Sequence, residues 1–355
     1  MTLSLNRRAR GLLKVIGALL GAALVAWVFR GVAWSEISGR LAAIGLGGGL
    51  LVLLPALAAG LIESAGWRGI FAVIDARVGF IPLFRLRTET EAAAQTLPAG
   101  VVFAESLKVA LLTRFGIGVD AAVTATLARK YVLMTSQSLY IGLSALFGFA
   151  ALEALSQRLL GRSGFAFLLP IAAAAIGSVA LGMRALLSRG RLATRARELF
   201  RRLSRLRRAR ASADTGSWSA AMDRRIERFF RVRAGHELAI TSLFLGGWLL
   251  ESVETFLLLR LVGVELDFGT AMAVEVVLSI LRMTVFVVPG GLGVQEAGYA
   301  IFLHALAVPE ATVAGAAFAV LKRAKEVAYA LLGYSLLALS LKSESAASVR
   351  PALGK

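Results

Sequence analysis

Val288-Pro289-Gly290-Gly291-Leu292-Gly293-Val294-Gln295-Glu296 interrupts an otherwise apolar stretch at residues 270–307. Pro removes a backbone donor and Gly admits backbone angles that other residues avoid, so a helix entering this segment has to end within it. Inside a bilayer, broken backbone is tolerated only where protein or a water-filled cavity covers it. An earlier segment at 88–115 repeats the pattern. Leu97-Pro98-Ala99-Gly100 is followed by four residues and Glu105, as Pro289-Gly290-Gly291 is followed by four residues and Glu296. Pro82 and Glu89 share the Pro-to-Glu spacing by accident, but they lack the small-Gly pair. Two Pro/Gly-interrupted segments in corresponding halves point to a transporter site near the bilayer midplane. Helix ends formed there present free N–H groups to an anionic headgroup. Two loops that simply connect helices are the plainer alternative.

The composition decides that these breaks lie in a membrane protein. Of 355 residues, 57% are hydrophobic and 17% charged, with a mean hydropathy of +0.74. Soluble domains carry roughly 45–50% apolar and about 25% charged residues. Apolar runs long enough to cross a bilayer fall at 11–29, 41–62, 121–148, 164–187, 237–261 and 311–340. The expected fold is an all-α, polytopic membrane helical bundle. It has six full spans plus two re-entrant hairpins, 88–115 and 270–307, in an approximate inverted repeat. The organisation predicted is a first membrane half at 1–187, a basic loop at 188–236, a second half at 237–341 and a short tail at 342–355. Gly11–Phe29 lacks a small-x-small cleavage site, so it reads as a retained span rather than a secretory signal.

A formal charge of +18 appears at odds with such hydrophobicity until it is located. Residues 189–233 hold fifteen Arg against four acids, and residues 1–30 hold five cations and no acid. Together they account for +16 of the surplus. Lys/Arg excess of this kind marks cytoplasmic loops. It places both termini, the 188–236 loop, the cluster Arg68, Arg77, Arg85 and Arg87, and Lys342 on the cytoplasmic side. The first hairpin would then enter from the cytoplasm and the second from the opposite face. No nucleic-acid-binding motif accompanies the sequence pI near 11.3, so nucleic acid is not an expected partner. Leu192, Leu199, Leu203 and Leu206 form one stripe of a helix, and Ile226, Phe229 and Phe230 repeat it further on. With Arg201, Arg202, Arg205, Arg207 and Arg208 around the first stripe, the loop reads as an interfacial helix that attracts anionic lipid. A topology determinant with no binding role is the alternative.

What remains is a nearly balanced set of ions inside the expected spans and hairpins. It comprises Glu63, Glu91, Glu105, Lys108, Arg129, Lys130, Glu251, Glu254, Glu275, Arg282, Glu296, Lys322, Arg323, Lys325 and Glu326. A charge at the bilayer centre costs at least about 2.5–3.5 kcal/mol, so this set is expected to line a shared polar interior. Glu105 with Lys108, and Arg323 with Glu326, sit three apart on one helix face. Glu251 and Glu254 share a face as like charges, which requires protonation of one or a cation from another helix. The chain has no Cys and two distant His, His236 and His304, so neither thiolate chemistry nor a histidine metal site is expected. No cofactor motif is present, and no catalytic residue or metal ligand is assigned.

The residues around Pro289 are similar to the Pro-Gly-Gly-Leu-Gly-x-x-Glu signature of a flippase-like membrane family that includes the transmembrane region of lysylphosphatidylglycerol synthases. The Leu97-Pro98-Ala99-Gly100 element resembles that family's Leu-Pro-small-x-Gly-Glu element, but here the Glu comes only at Glu105. Arg129-Lys130 stands where many members show Glu-Arg. These departures suggest a divergent branch, of which the hopanoid-biosynthesis-associated HpnL type is one candidate. The resemblance implies lipid translocation between leaflets of a bacterial plasma (inner) membrane, with no enzyme activity. With Lys355 following soon after the last expected span, no soluble aminoacyl-transferase domain is expected. The expected headgroup path comprises Pro98, Gly100, Glu105, Lys108, Arg129, Lys130, Arg282, Pro289, Gly290, Gly291, Gly293, Glu296, Arg323 and Glu326. Membrane lipids are the expected partners, with a homo-oligomer left open. A membrane-embedded transferase acting on a lipid or polyprenyl substrate, and a scaffold for lipid-synthesis enzymes, remain alternatives.

Overall fold

The computed structural model describes residues 34–97, 100–190, 194, 215–284 and 291–348. The first expected span (11–29), the stripe Leu192–Leu206, the five lipid-facing arginines, Pro98, Pro289 and Gly290 lie outside them. Among the described residues the structure is all-helical. The helices are α1 (Trp34–Val73), α2 (Phe80–Thr96), α3 (Gly100–Arg114), α4 (Val119–Phe147), α5 (Phe149–Leu160), α6 (Phe165–Ser188), α7 (Thr215–Phe230), α8 (Ala234–Leu261), α9 (Phe268–Thr284), α10 (Val294–Ala305) and α11 (Ala311–Ser348).

Helices α1, α6 and α8 are long and apolar enough to cross a membrane, and α4 with α5, bent by 78° at Gly148, makes a fourth candidate. Helix α11 is longer than α6 or α8, but Lys322, Arg323, Lys325 and Glu326 interrupt its apolar course. The exterior is what lipid requires: Leu46, Leu50, Leu54, Phe167, Ile171 and Leu331 are all more than half exposed. The span expected at 41–62 belongs to a longer helix. A straight helix of 40 residues would run about 60 Å, twice the hydrocarbon depth. Helix α1 instead breaks at Gly45 (φ 62°) and continues past residue 62 to Val73.

Both interrupted segments do break where Pro and Gly stand. Helix α2 ends at Thr96, Leu97 is extended, and α3 starts at Gly100, whose N–H donates to Leu97 O at 2.8 Å. Helix α9 ends at Thr284 and α10 begins at Val294, with Gly291 (φ 61°) and Gly293 (φ 82°) in left-handed backbone just before it. Glycine takes those angles without the steric cost a side chain would add.

The packing of α1–α4 and α8–α11 is reciprocal. Helix α1 packs on α8; α11 packs on α2 as α4 packs on α9. In the same way α4 meets α8 as α11 meets α1, and α3 meets α4 as α10 meets α11. The last helix of each half is therefore inserted against the first two helices of the other. Close approach makes this possible on α11, where a Cβ on Gly333 would stand 2.5 Å from Thr88 O and 2.6 Å from the Ala92 Cβ of α2.

The structure places Arg87 and the apolar stripe of α7 differently from the sequence reading. Arg87, which the sequence places with Arg68, Arg77 and Arg85 on the cytoplasmic side, lies in α2 with its side chain 11% exposed, because Glu63 on the neighbouring α1 provides a buried partner. Ile226, Phe229 and Phe230 of α7 do not face lipid. They are buried in the same apolar core as Trp67, Phe71, Tyr131 and Phe244. Helix α7 is fastened there by Arg225, which donates to Asp120 at 2.8 Å and to Ile74 O at 2.6 Å. Phe230 also packs edge-on against Tyr131, whose hydroxyl donates to Glu237 at 2.6 Å. An amphipathic stripe specifies burial of one face; protein satisfies it as well as lipid does.

Candidate functional site

A cavity of about 600 Å³ lies between the two broken segments. Arg87, Glu91 and Gln95 reach it from α2, Gly100 and Val102 from α3, and Lys130 and Gln137 from α4. From the second half come Trp248, Glu251 and Glu254 of α8, Glu275, Ser279 and Arg282 of α9, and Gly291. Lys322, Lys325, Glu326 and Tyr329 of α11 complete the polar wall, and Ala56, Ala59, Ala94 and Leu97 supply apolar lining. Five cations face five carboxylates, so the cavity is charged but formally balanced.

Most of these charges are tied across helices. Glu63 receives Arg87 Nε and Nη2, both at 3.1 Å, and Arg129 Nη2 at 3.2 Å. The Arg129 guanidinium also lies 5.3 Å from the Trp67 ring and 5.6 Å from the Phe244 ring, within cation–π reach of both. Arg87 Nη1 donates to the Tyr329 hydroxyl at 2.8 Å, linking α2 to α11. In the other half, the buried Glu275 accepts from Lys322 at 2.9 Å, Arg282 at 2.8 Å and Thr255 at 2.6 Å, and from the Tyr299 hydroxyl. Lys322 Nζ donates to Tyr299 as well, at 2.8 Å. Lys325 on α11 reaches Glu254 on α8 at 2.6 Å, which supplies the cation that the Glu251/Glu254 face requires. Lys130 and Glu251 form no ion pair among the described residues, although both line the cavity. Glu91 accepts a hydrogen bond from the Gln95 amide at 3.2 Å.

The expected path divides into three groups. Gly100, Lys130, Arg282, Gly291 and Glu326 line the cavity. Arg129, Arg323, Glu296 and Gly293 stand behind its wall. Arg323 bridges Glu296 at 2.6 Å and Glu326 at 2.5 Å, while Glu296 accepts the Gly293 N–H at 2.8 Å and so closes the first turn of α10. Glu105 and Lys108 pair with each other on α3 at 2.9 Å and do not line the cavity. The two motif glutamates therefore have different partners. Arg87, Gln95, Gln137, Trp248, Ser279 and Tyr329 are cavity residues missed in the sequence, while Glu275, Lys322, Glu254 and Lys325 were read as intramembrane ions without a place on the path. One signal was present: Glu63 and Glu254 each lie 37 residues before the cavity glycine of their half, Gly100 and Gly291. Among the described residues no cluster of His, Cys, Asp or Glu is suited to hold a metal ion.

Long apolar helices around a charged, partly paired interior define a multi-pass helical membrane protein with an internal polar site. Residues 14–333 match the family described as the lysylphosphatidylglycerol synthase transmembrane region, and the chain belongs to that family. That membership gives it a lipid-related function in the membrane. No curated protein matches the chain.

Proposed function

We propose that the protein is a lipid flippase, moving a lipid headgroup through the charged cavity while its tails stay in the bilayer. The observation that carries this reading is the cavity itself. Ten charged side chains converge between two broken helical segments inside a body that exposes many large apolar side chains. A wall of that polarity in a bilayer is costly unless a polar species passes or rests there. Apolar lining at Ala56, Ala59 and Leu97 suits the glycerol or isoprenoid stem next to a headgroup. No chemistry is assigned to the carboxylates; they balance and orient, and the protein is not an enzyme in this reading.

The topology proposed with it has six full spans and two re-entrant hairpins, α2–α3 and α9–α10, in an inverted repeat. Residues 11–29 and α11 complete the spans, and both termini are cytoplasmic in a bacterial plasma membrane. Reciprocal packing of the two halves supports the repeat. Membrane lipids are the partners, and a hopanoid-related lipid is one candidate cargo. Reconstitution in liposomes with labelled candidate lipids tests the function, by leaflet exchange with and without a pH gradient. Protein-dependent exchange of one lipid class is expected. Release of a new labelled product in place of exchange would identify a transferase instead.

A further inference from the structure

We infer that the cavity selects a zwitterionic phospholipid headgroup, holding its phosphate at Lys130 and its primary ammonium at Glu251. The inference rests on the flippase reading and narrows the cargo to one class. Of the charges in the lining, Lys130 and Glu251 form neither an ion pair nor a hydrogen bond among the described residues. The others are committed. Arg87 goes to Glu63, Lys325 to Glu254, Lys322 and Arg282 to Glu275, and Arg323 to Glu326, while Glu91 accepts from Gln95. Two buried polar atoms of lining residues, Trp248 Nε1 and Gln95 Oε1, also have no hydrogen-bond partner. Buried polar atoms are normally satisfied, so a lining that leaves both a donor and an acceptor open suits a ligand that offers both.

The two walls differ in sign. The wall from α1–α4 carries two cations and one carboxylate, and the wall from α8–α11 carries three cations and four carboxylates. Behind them Arg129 offsets Glu63 and Arg323 offsets Glu296, so the first wall stays net positive and the second net negative. Lys130 is the unpaired charge of the positive wall, and Glu251 that of the negative one. Helices α4 and α8 pack together and run the same way, since Arg129 lies by Phe244 while Tyr140 lies by Trp248 and Ser252. Glu251 therefore stands about 10 Å beyond the level of Lys130 along the helix axes, with Gln137 and Trp248 of the lining between them. A dipolar headgroup fits that span with its phosphate toward α4 and its ammonium toward α8. Lysine takes the phosphate as a point charge, and the carboxylate takes charge-assisted N–H bonds from the ammonium. A headgroup of zero net charge leaves the balanced cavity neutral, whereas an anionic or cationic one would carry an uncompensated charge into the bilayer. Ala56, Ala59, Ala94 and Leu97 extend the site to the apolar stem, which makes the ligand the lipid rather than its soluble headgroup.

Binding to the purified protein in detergent tests the site apart from transport. The probes are radiolabelled dihexanoyl phosphatidylethanolamine, dihexanoyl phosphatidylglycerol and the cationic dihexanoyl ethylphosphatidylcholine, read by equilibrium dialysis. The zwitterion is expected to bind at least about tenfold tighter than either charged lipid, the worth of one hydrogen bond to a charged group. Glu251→Gln should abolish its advantage over phosphatidylglycerol by weakening the ethanolamine lipid alone. Equal affinity of the parent for the three lipids overturns the proposal, and so does an unchanged preference in Glu251→Gln. If that variant is not monodisperse, Lys130→Gln replaces it and should weaken phosphatidylethanolamine and phosphatidylglycerol alike; unchanged affinities overturn the phosphate site. Binding of glycerophosphoethanolamine as tight as that of the lipid overturns the lipid assignment. Leaflet exchange of the same headgroups on acyl-labelled lipids separates this from the flippase reading. Preferential binding without exchange of any lipid leaves the site standing and removes that reading. Exchange of phosphatidylglycerol as fast as phosphatidylethanolamine keeps the flippase and overturns the selectivity.

Discussion

Replacing Glu275 by Leu removes the acceptor that three helices share. Lys322 is 4% exposed and loses its carboxylate, while the hydroxyls of Thr255 and Tyr299 lose an acceptor. Removing one partner of a buried ion pair costs about 3–5 kcal/mol, because the other charge remains where water cannot reach it. Arg282 suffers less: its side chain is 28% exposed and it keeps Ser279 at 2.8 Å. Replacing both partners, Glu275→Leu with Lys322→Leu, removes the stranded charge, and substituting apolar residues for a whole buried pair is often neutral. The double variant is therefore expected to recover roughly 2–4 kcal/mol relative to Glu275→Leu alone. At about 2 °C per kcal/mol, Glu275→Leu lowers the apparent melting temperature by about 6–10 °C, and the double variant regains most of it. Loss of monodispersity on heating in detergent reads both values. A double variant no more stable than Glu275→Leu refutes the reasoning, since the pair would then carry no coupling.

Gly333→Val should break the contact of α11 with α2, because the new Cβ would meet backbone oxygen of Thr88 at 2.5 Å; a sharp fall in monodisperse yield checks this, with Gly142→Val, at a position with open space, as control. Arg225→Ala should release α7 from Asp120 and Ile74 O, and faster tryptic cleavage within residues 215–230 in vesicles open on the side of that loop is the readout. Asp267 caps α9, accepting the Thr270 N–H at 3.0 Å and the Thr270 hydroxyl. Burial alone would push its carboxyl up, but the hydrogen bonds from Thr270 outweigh that and hold it below the usual aspartate range. Its contribution is therefore present at neutral pH and lost as pH falls through that lowered value. Asp267→Ala should cost about 1 kcal/mol at pH 7, and the difference from the parent in melting temperature should shrink on acidification.

The parts legible in the sequence were those that depend on near neighbours. Pro and Gly end a helix whatever surrounds them, so the breaks at 97–100 and before 294 could be read directly. Glu105–Lys108 and Arg323–Glu326 share a helix face at a spacing of three, and both pairs form. Pairs between helices were not legible in the same way. Arg129 meets Glu63 across 66 residues, and only the packing of α1 against α4 and α8 decides that. For Arg87 the Lys/Arg excess pointed only to the cytoplasmic side, because nothing local shows that Glu63 waits on the adjacent helix. The stripe of α7 was seen correctly as amphipathic, but periodicity is silent on whether protein or lipid covers it. The large positive surplus falls in sequence at residues 1–30 and 189–233, whereas the charges that line the cavity balance.

The central claim is that a headgroup passes through the cavity, and one comparison tests it most directly. Liposomes carrying the parent protein and liposomes carrying Ala56→Trp, which fills the apolar side of the cavity, are compared for leaflet exchange of labelled lipids. The parent should exchange one lipid class well above protein-free vesicles, and Ala56→Trp, still monodisperse, should fall to the protein-free rate. Equal exchange by both proteins, or none by the parent for any lipid class, would contradict the claim.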